Sequence, residues 1–159
     1  MSQSLGASVS VPLVNAMTVD VEDYFQVSAF EQHVDRSQWQ TLPCRVEANV
    51  ERILELFDQH QVQATFFTLG WVAERYPDLV RRIAGNGHEI ASHGWEHIRA
   101  NTQTPEQFRD DVLRTRKLLQ DVSGQAVIGY RAASFSIGDA NLWAWEELAA
   151  AGYRYSSSI

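Results

Sequence analysis

Five short apolar runs alternate along this chain with segments that carry helical periodicity, and that alternation limits the fold more than any other feature. "LVNAMTVDV" (13–21), "ATFFTLG" (64–70), "HEIASH" (88–93), "AVIGYR" (126–131) and "YRYSSSI" (153–159) read as strands. Between them, Val46, Val50, Ile53, Leu54 and Phe57 recur at helical spacing, which predicts a helix over 45–60. Pro77 opens a second helix that stops at Gly85 and Gly87. Thr104-Pro105-Glu106-Gln107 has the pattern of a capping box, followed by Phe108, Val112 and Leu119 on one helix face. A fourth helix is expected over 139–152, capped by Asp139 and ended by Gly152. Strand and helix in strict alternation imply an α/β fold around a parallel sheet, open or closed into a barrel. Residues 22–44 form a long irregular segment holding Tyr24, Phe25, Phe30 and Trp39, and loops of that length are commonly functional.

The 159 residues suit one domain, with 1–12 as a flexible leader and 13–159 as the domain itself. A net charge of −7 disfavours nucleic-acid binding, which needs clustered Lys and Arg on phosphates. The single cysteine, Cys44, can form no internal disulfide. No basic region precedes the first apolar stretch, and no run approaches the ~18 apolar residues of a membrane span. The expectation is a cytoplasmic protein without a membrane span.

In parallel α/β folds, chemistry collects at the carboxyl ends of strands. Three polar groups fall there. "DVED" (20–23) follows the first strand, His93 and His97 follow the third, and Arg131 closes the fourth. Two imidazoles with one carboxylate make a common catalytic zinc set, with one position left open. "DVED" supplies three carboxylates, more than one metal needs, so one can bind metal while another acts as general base. Arg131 could pair with one of them and fix its orientation. A pair of histidines on a surface loop is the plainer reading of His93 and His97 alone. His88 reads as structural, and His33 and His60 as solvent-facing. Glu146 and Glu147 read as a solvated face, and Trp143 and Trp145 as packing. Trp95 stands between the two candidate ligands and could either shape a pocket or pack.

"TVDVED", "SHGWEH" and "GYRAASFS" resemble, in order, the motifs of the polysaccharide deacetylases of the NodB type, carbohydrate esterase family four. The wording is most similar to the subgroup associated with bacterial exopolysaccharide gene clusters, and the likeness runs over about residues 14–159. The resemblance implies a distorted (β/α) barrel, a divalent metal ion (usually zinc), and removal of N-acetyl groups from an acetylated amino-sugar glycan. It implies His93, His97 and Asp23 as metal ligands, Asp20 as catalytic base, and Arg131 as the residue that holds the base. The family motif has adjacent aspartates, whereas Val21 and Glu22 separate Asp20 from Asp23, so Glu22 could take either role. Gly94 stands where Ser or Thr is common, and Ala133 where proline is common. The family's general-acid histidine has no counterpart after His97, so the chain is expected to be the N-terminal portion of a domain, truncated on its C-terminal side, that binds metal and by itself turns over slowly or not at all. Its unpaired strand edges would favour association, with oligomeric state left open. Two rivals stand beside this reading: a related metal-dependent hydrolase of small cyclic amides, and a non-catalytic glycan-binding protein with a degenerate site.

Overall fold

The computed structural model describes residues 15–158, and the expected leader lies outside them. Five parallel strands, β1 (Met17–Val21), β2 (Ala64–Thr68), β3 (Glu89–Ser92), β4 (Gly129–Tyr130) and β5 (Tyr155–Ser156), form one sheet in the order β1-β2-β3-β4-β5. The intervening helices are α1 (Val46–Gln59), α2 (Gly70–Arg75), α3 (Pro77–Gly85), α4 (Pro105–Ser123) and α5 (Trp143–Ala150). Sequential order with right-handed crossovers puts every connecting helix on one face of the sheet. The α/β expectation therefore holds, with a sheet wound in one direction as in the wall of a barrel.

The sheet curls. Strands lie about 4.8 Å apart, so β1 and β4 would stand about 14 Å apart if flat. Arg131, just after β4, nevertheless reaches the Thr18 hydroxyl of β1 at 3.1 Å. The other face of the sheet is thus concave, and β1, β4 and β5 converge across it.

Strand alternation divides the residues between the two faces. Val21, Phe66, Ile90 and Tyr130 join the core under the helices. There they meet Val50, Leu54 and Phe57 of α1, Leu79 and Ile83 of α3, and Phe108, Val112 and Leu119 of α4. Thr18, Asp20, Phe67, Glu89 and Arg131 occupy the concave side. The capping box at α4 forms as expected: the Thr104 hydroxyl accepts from the Gln107 amide, and the Gln107 carboxamide accepts from the Thr104 amide. Helix α4 ends at Gly124 in the left-handed region.

Two local expectations change. The segment after β2 contains α2, whose six residues are too few to display a periodic face. Asp139 caps nothing; it starts a 3₁₀ turn (Asp139–Asn141), and the Asn141 carboxamide accepts from the Gly138 amide at 2.8 Å. The long segment 22–44 carries two 3₁₀ turns and buries Phe25 and Trp39 against Trp71 of α2, with ring centroids 5.7–6.1 Å apart. That aromatic cluster fixes the segment as one wall of the concave mouth.

Candidate metal centre and active site

At the carboxyl ends of β1 and β3, three side chains converge. The Glu22 Oε2 atom lies 3.2 Å from His97 Nε2 and 3.9 Å from His93 Nε2. Ligand atoms around a tetrahedral zinc, each about 2.0–2.1 Å from the ion, are separated by roughly 3.3 Å. The spacing therefore fits a divalent cation. Glu22 Oε2 is moreover buried without a hydrogen-bond partner. Such an atom is costly unless something cationic meets it.

The electrostatics agree with that fit. Burial pushes the Glu22 carboxyl up to about 7, with Asp20 adding to the effect. Burial lowers His93, and burial together with His93 lowers His97 to about 4. Both imidazoles are then neutral near pH 7, the form that ligates metal. His93 Nδ1 lies 2.8 Å from the Arg131 carbonyl, so that nitrogen carries the proton and Nε2 is left bare toward Glu22.

The loop holding both histidines is fastened from behind. The first amides of α2, Gly70 and Trp71, donate to the carbonyls of Gly94 and Trp95 at 2.9 and 3.0 Å. From α4, the Asp111 carboxylate accepts from the Trp95 amide at 2.7 Å. Gly94 has φ +77, and a Cβ there would meet Asp111 Oδ2 at 3.2 Å, so the residue between the ligands is glycine for both conformation and space. Trp95 packs behind the loop. A Cβ on Gly70 would fall inside its indole, and Arg114 stacks over it at 3.2 Å. His97 itself sits at φ +53, a conformation that histidine tolerates better than most residues.

Asp20 stands two residues before Glu22, at the end of β1. Arg131, 8% exposed, donates to Asp20 Oδ1 at 2.6 Å, to the Thr18 and Ser157 hydroxyls at 3.1 and 2.8 Å, and to the Ser157 carbonyl at 3.2 Å. Its guanidinium also lies 4.0 Å above the Phe67 ring. Asp20 Oδ2 remains directed toward the centre, 4.0 Å from His93 Nε2.

Asp23, the expected third ligand, stands outside the Glu22–His93–His97 cluster. Its Oδ1 accepts from the Tyr24 amide at 2.9 Å, and its Oδ2 accepts from the amides of Arg45 and Val46, the latter at 2.9 Å. These amides open α1, whose own N-cap residue, Arg45, supplies no side-chain cap. A carboxylate at a helix N-terminus satisfies orphan donors and meets the positive end of the dipole. Alternation explains the exchange: 18, 20 and 22 share the concave face, and the chain turns away after Glu22. The sequence had already left Glu22 open for either role.

Of the remaining histidines, His88 is structural, with its Nδ1 accepting from the Ala64 amide and its ring against Phe57 and Phe66. Trp143 packs on Phe108, and Glu147 accepts both bonds of the Arg109 guanidinium. Among the described residues, no helix is long and apolar enough to cross a membrane.

An acid, a buried arginine and a two-histidine carboxylate cluster thus stand together at the mouth of a curled parallel sheet. Comparison with known proteins is specific. The family profile for polysaccharide deacetylase matches residues 34–156, and the chain belongs to that family. A peptidoglycan-N-acetylglucosamine deacetylase of Bacillus cereus is 37% identical over 75 residues, covering 47% of this chain and 27% of that protein. A chitooligosaccharide deacetylase of a Bradyrhizobium species is 32% identical over 85 residues, covering 54% of this chain and 39% of that protein. The chain thus spans less than half the length of these relatives. The crystal structure of a candidate polysaccharide deacetylase from Mycobacterium smegmatis superposes with a TM-score of 0.77 at 29% identity, over 97% of this chain and 55% of that one.

Proposed function

We propose that this chain carries the metal site and the base of a hydrolase that removes N-acetyl groups from the amino sugars of a glycan. Glu22, His93 and His97 would hold the cation, with zinc first among candidates for a site of two imidazoles and a carboxylate. The observation that carries this reading is the partnerless, buried Glu22 oxygen facing two neutral imidazoles, beside an aspartate held by arginine. A divalent cation there would supply Lewis acidity toward the acetamide carbonyl and lower the pKa of water beside it.

The chain's own groups supply the base, the arginine that holds it and the ligands. Asp20 presents Oδ2 to the centre and accepts the proton of the attacking water. Arg131 donates one hydrogen bond to that carboxylate, and three more to Thr18 and Ser157 brace the guanidinium that makes it. His93 and His97, fastened through Gly94 and Trp95, would keep the ligand atoms fixed while the acetamide C–N bond breaks and the proton taken from water passes on to the leaving nitrogen, giving acetate and a free amine. The names of the two relatives support an N-acetylglucosamine polymer as the substrate class, and the exopolysaccharide-type wording of the motifs points to a polymer rather than a small cyclic amide.

The test is acetate release from an N-acetylated chitooligosaccharide. Activity removed by a chelator, restored by zinc and absent in His97→Ala is the expected result. Activity that survives both the chelator and the substitution would contradict the metal-dependent reading.

A further inference from the structure

Phe135 is a large aromatic residue held where aromatic residues rarely stand. It and its neighbour Ser134 both have φ +52, in the left-handed region. A bulky side chain there is an outlier that costs on the order of 1–3 kcal/mol and persists only when the surroundings impose it. The surroundings do impose it. The Ser134 hydroxyl lies 2.7 Å from the Ser28 hydroxyl, across the mouth on the 22–44 segment. The Ser136 hydroxyl accepts from the Ala100 amide at 2.8 Å, and the Ser136 carbonyl accepts from the Asn141 carboxamide at 3.0 Å. Yet the ring so carefully positioned is 55% exposed. Ordinary packing would not keep a strained residue in order to leave its ring in water.

The position of the ring suggests its use. Phe135 lines the same cavity as Asp20, Glu22, His93, His97 and Arg131, with a volume of about 240 Å³. That is below the ~300–1,000 Å³ typical of pockets for drug-sized ligands. The cavity suits one sugar unit with its acetamide, and a longer glycan must run over the rim. The Arg131 guanidinium lies 5.7 Å from the Phe135 ring centroid on the inner side. A rigid, solvent-facing aromatic ring beside a sugar-sized cavity offers an apolar platform for the C–H face of the next pyranose.

We infer that Phe135 is the platform for the sugar adjoining the one being deacetylated, and so sets a preference for oligomeric over monomeric substrate. This rests on the glycan reading above. The experiment compares wild type, Phe135→Gly and Phe135→Tyr, in zinc-containing buffer, by calorimetric binding of N-acetylglucosamine and of its β-linked tetramer. Glycine adopts φ +52 freely, so the first variant relieves strain rather than threatening the fold. The second retains the ring.

Phe135→Gly is expected to lose about tenfold in affinity for the tetramer and little for the monosaccharide, with Phe135→Tyr close to wild type. Equal tetramer affinity in wild type and Phe135→Gly overturns the inference, as does the same loss for both ligands. Acetate release is scored on the same samples. A tetramer-specific loss without any acetate release would leave the platform standing and remove the deacetylase reading. Acetate release with unchanged tetramer binding would do the reverse, and no binding of either sugar by wild type would remove both.

Discussion

The two faces of this one sheet are built by opposite rules from the same strands. Under the helices, Val21, Phe66, Ile90 and Tyr130 meet apolar partners and are nearly or fully buried. On the concave face, one residue along each strand, stand Asp20, Phe67, Glu89 and Arg131, and the polar groups among them are engaged by specific hydrogen bonds and ion pairs. The helix face tolerates change of shape at an energetic cost. The concave face is specified by direction: Asp20, Glu89 and Arg131 have named partners, and a one-residue offset moves a carboxylate from the site to a helix cap. Glu22 and Asp23 illustrate this. They are adjacent and chemically alike, but one faces two imidazoles and the other closes α1.

If the faces differ in this way, their substitutions should separate stability from chemistry. The largest effect belongs to the helix face. Phe66→Ala removes a fully buried ring and should lower unfolding free energy by about 3–5 kcal/mol in urea titrations. The folded fraction should bind zinc as before, and a loss of zinc affinity in the folded protein would break the comparison. Next is Arg131→Lys on the concave face. Lysine keeps the charge but cannot reproduce the fork, so Asp20 loses its orientation. Acetate release should fall by roughly 100-fold, while zinc content is unchanged.

The smallest effect lies where the faces meet, at Asp111 behind the histidine loop. Burial pushes its carboxyl up to about 6 from 3.8. Between those values the folded protein holds this proton more tightly than the unfolded chain does. The group's contribution to stability is therefore full at low pH and falls as pH rises from about 4 to 6. Asp111→Asn should remove that dependence. Its stability relative to wild type should improve by about 1–3 kcal/mol from pH 4 to pH 7, read from denaturant midpoints. A difference that does not change with pH would show that Asp111 keeps an ordinary carboxyl.

Much of this architecture was legible in the residues. The strand-helix alternation, the Thr104 capping box and the helix stops at Gly85 and Gly87 and at Gly152 are local signals, and local physics determines them. Helix α2 was not legible, because six residues between Leu69 and Tyr76 show no period. Placement of His93, His97, Asp20 and Arg131 at strand ends followed from the parallel fold. Glu22 over Asp23 could have been read from strand alternation, since 18, 20 and 22 share a face. What could not be read was the demand on Asp23 from amides at 45 and 46, a contact across 22 and 23 positions. Phe135 was silent for a similar reason: a left-handed φ on a phenylalanine has no composition or spacing signal, and only its anchors on Ser28, Ala100 and Asn141 make it visible.

The adjacent carboxylates also give the most direct test of the site. Zinc per chain should be measured after equilibration and removal of free metal, in wild type, Glu22→Gln and Asp23→Asn. About one zinc in wild type and in Asp23→Asn, with its loss in Glu22→Gln, is the result expected if Glu22, His93 and His97 form the metal centre. Retention in Glu22→Gln with loss in Asp23→Asn, or no zinc in the wild-type chain, would contradict it.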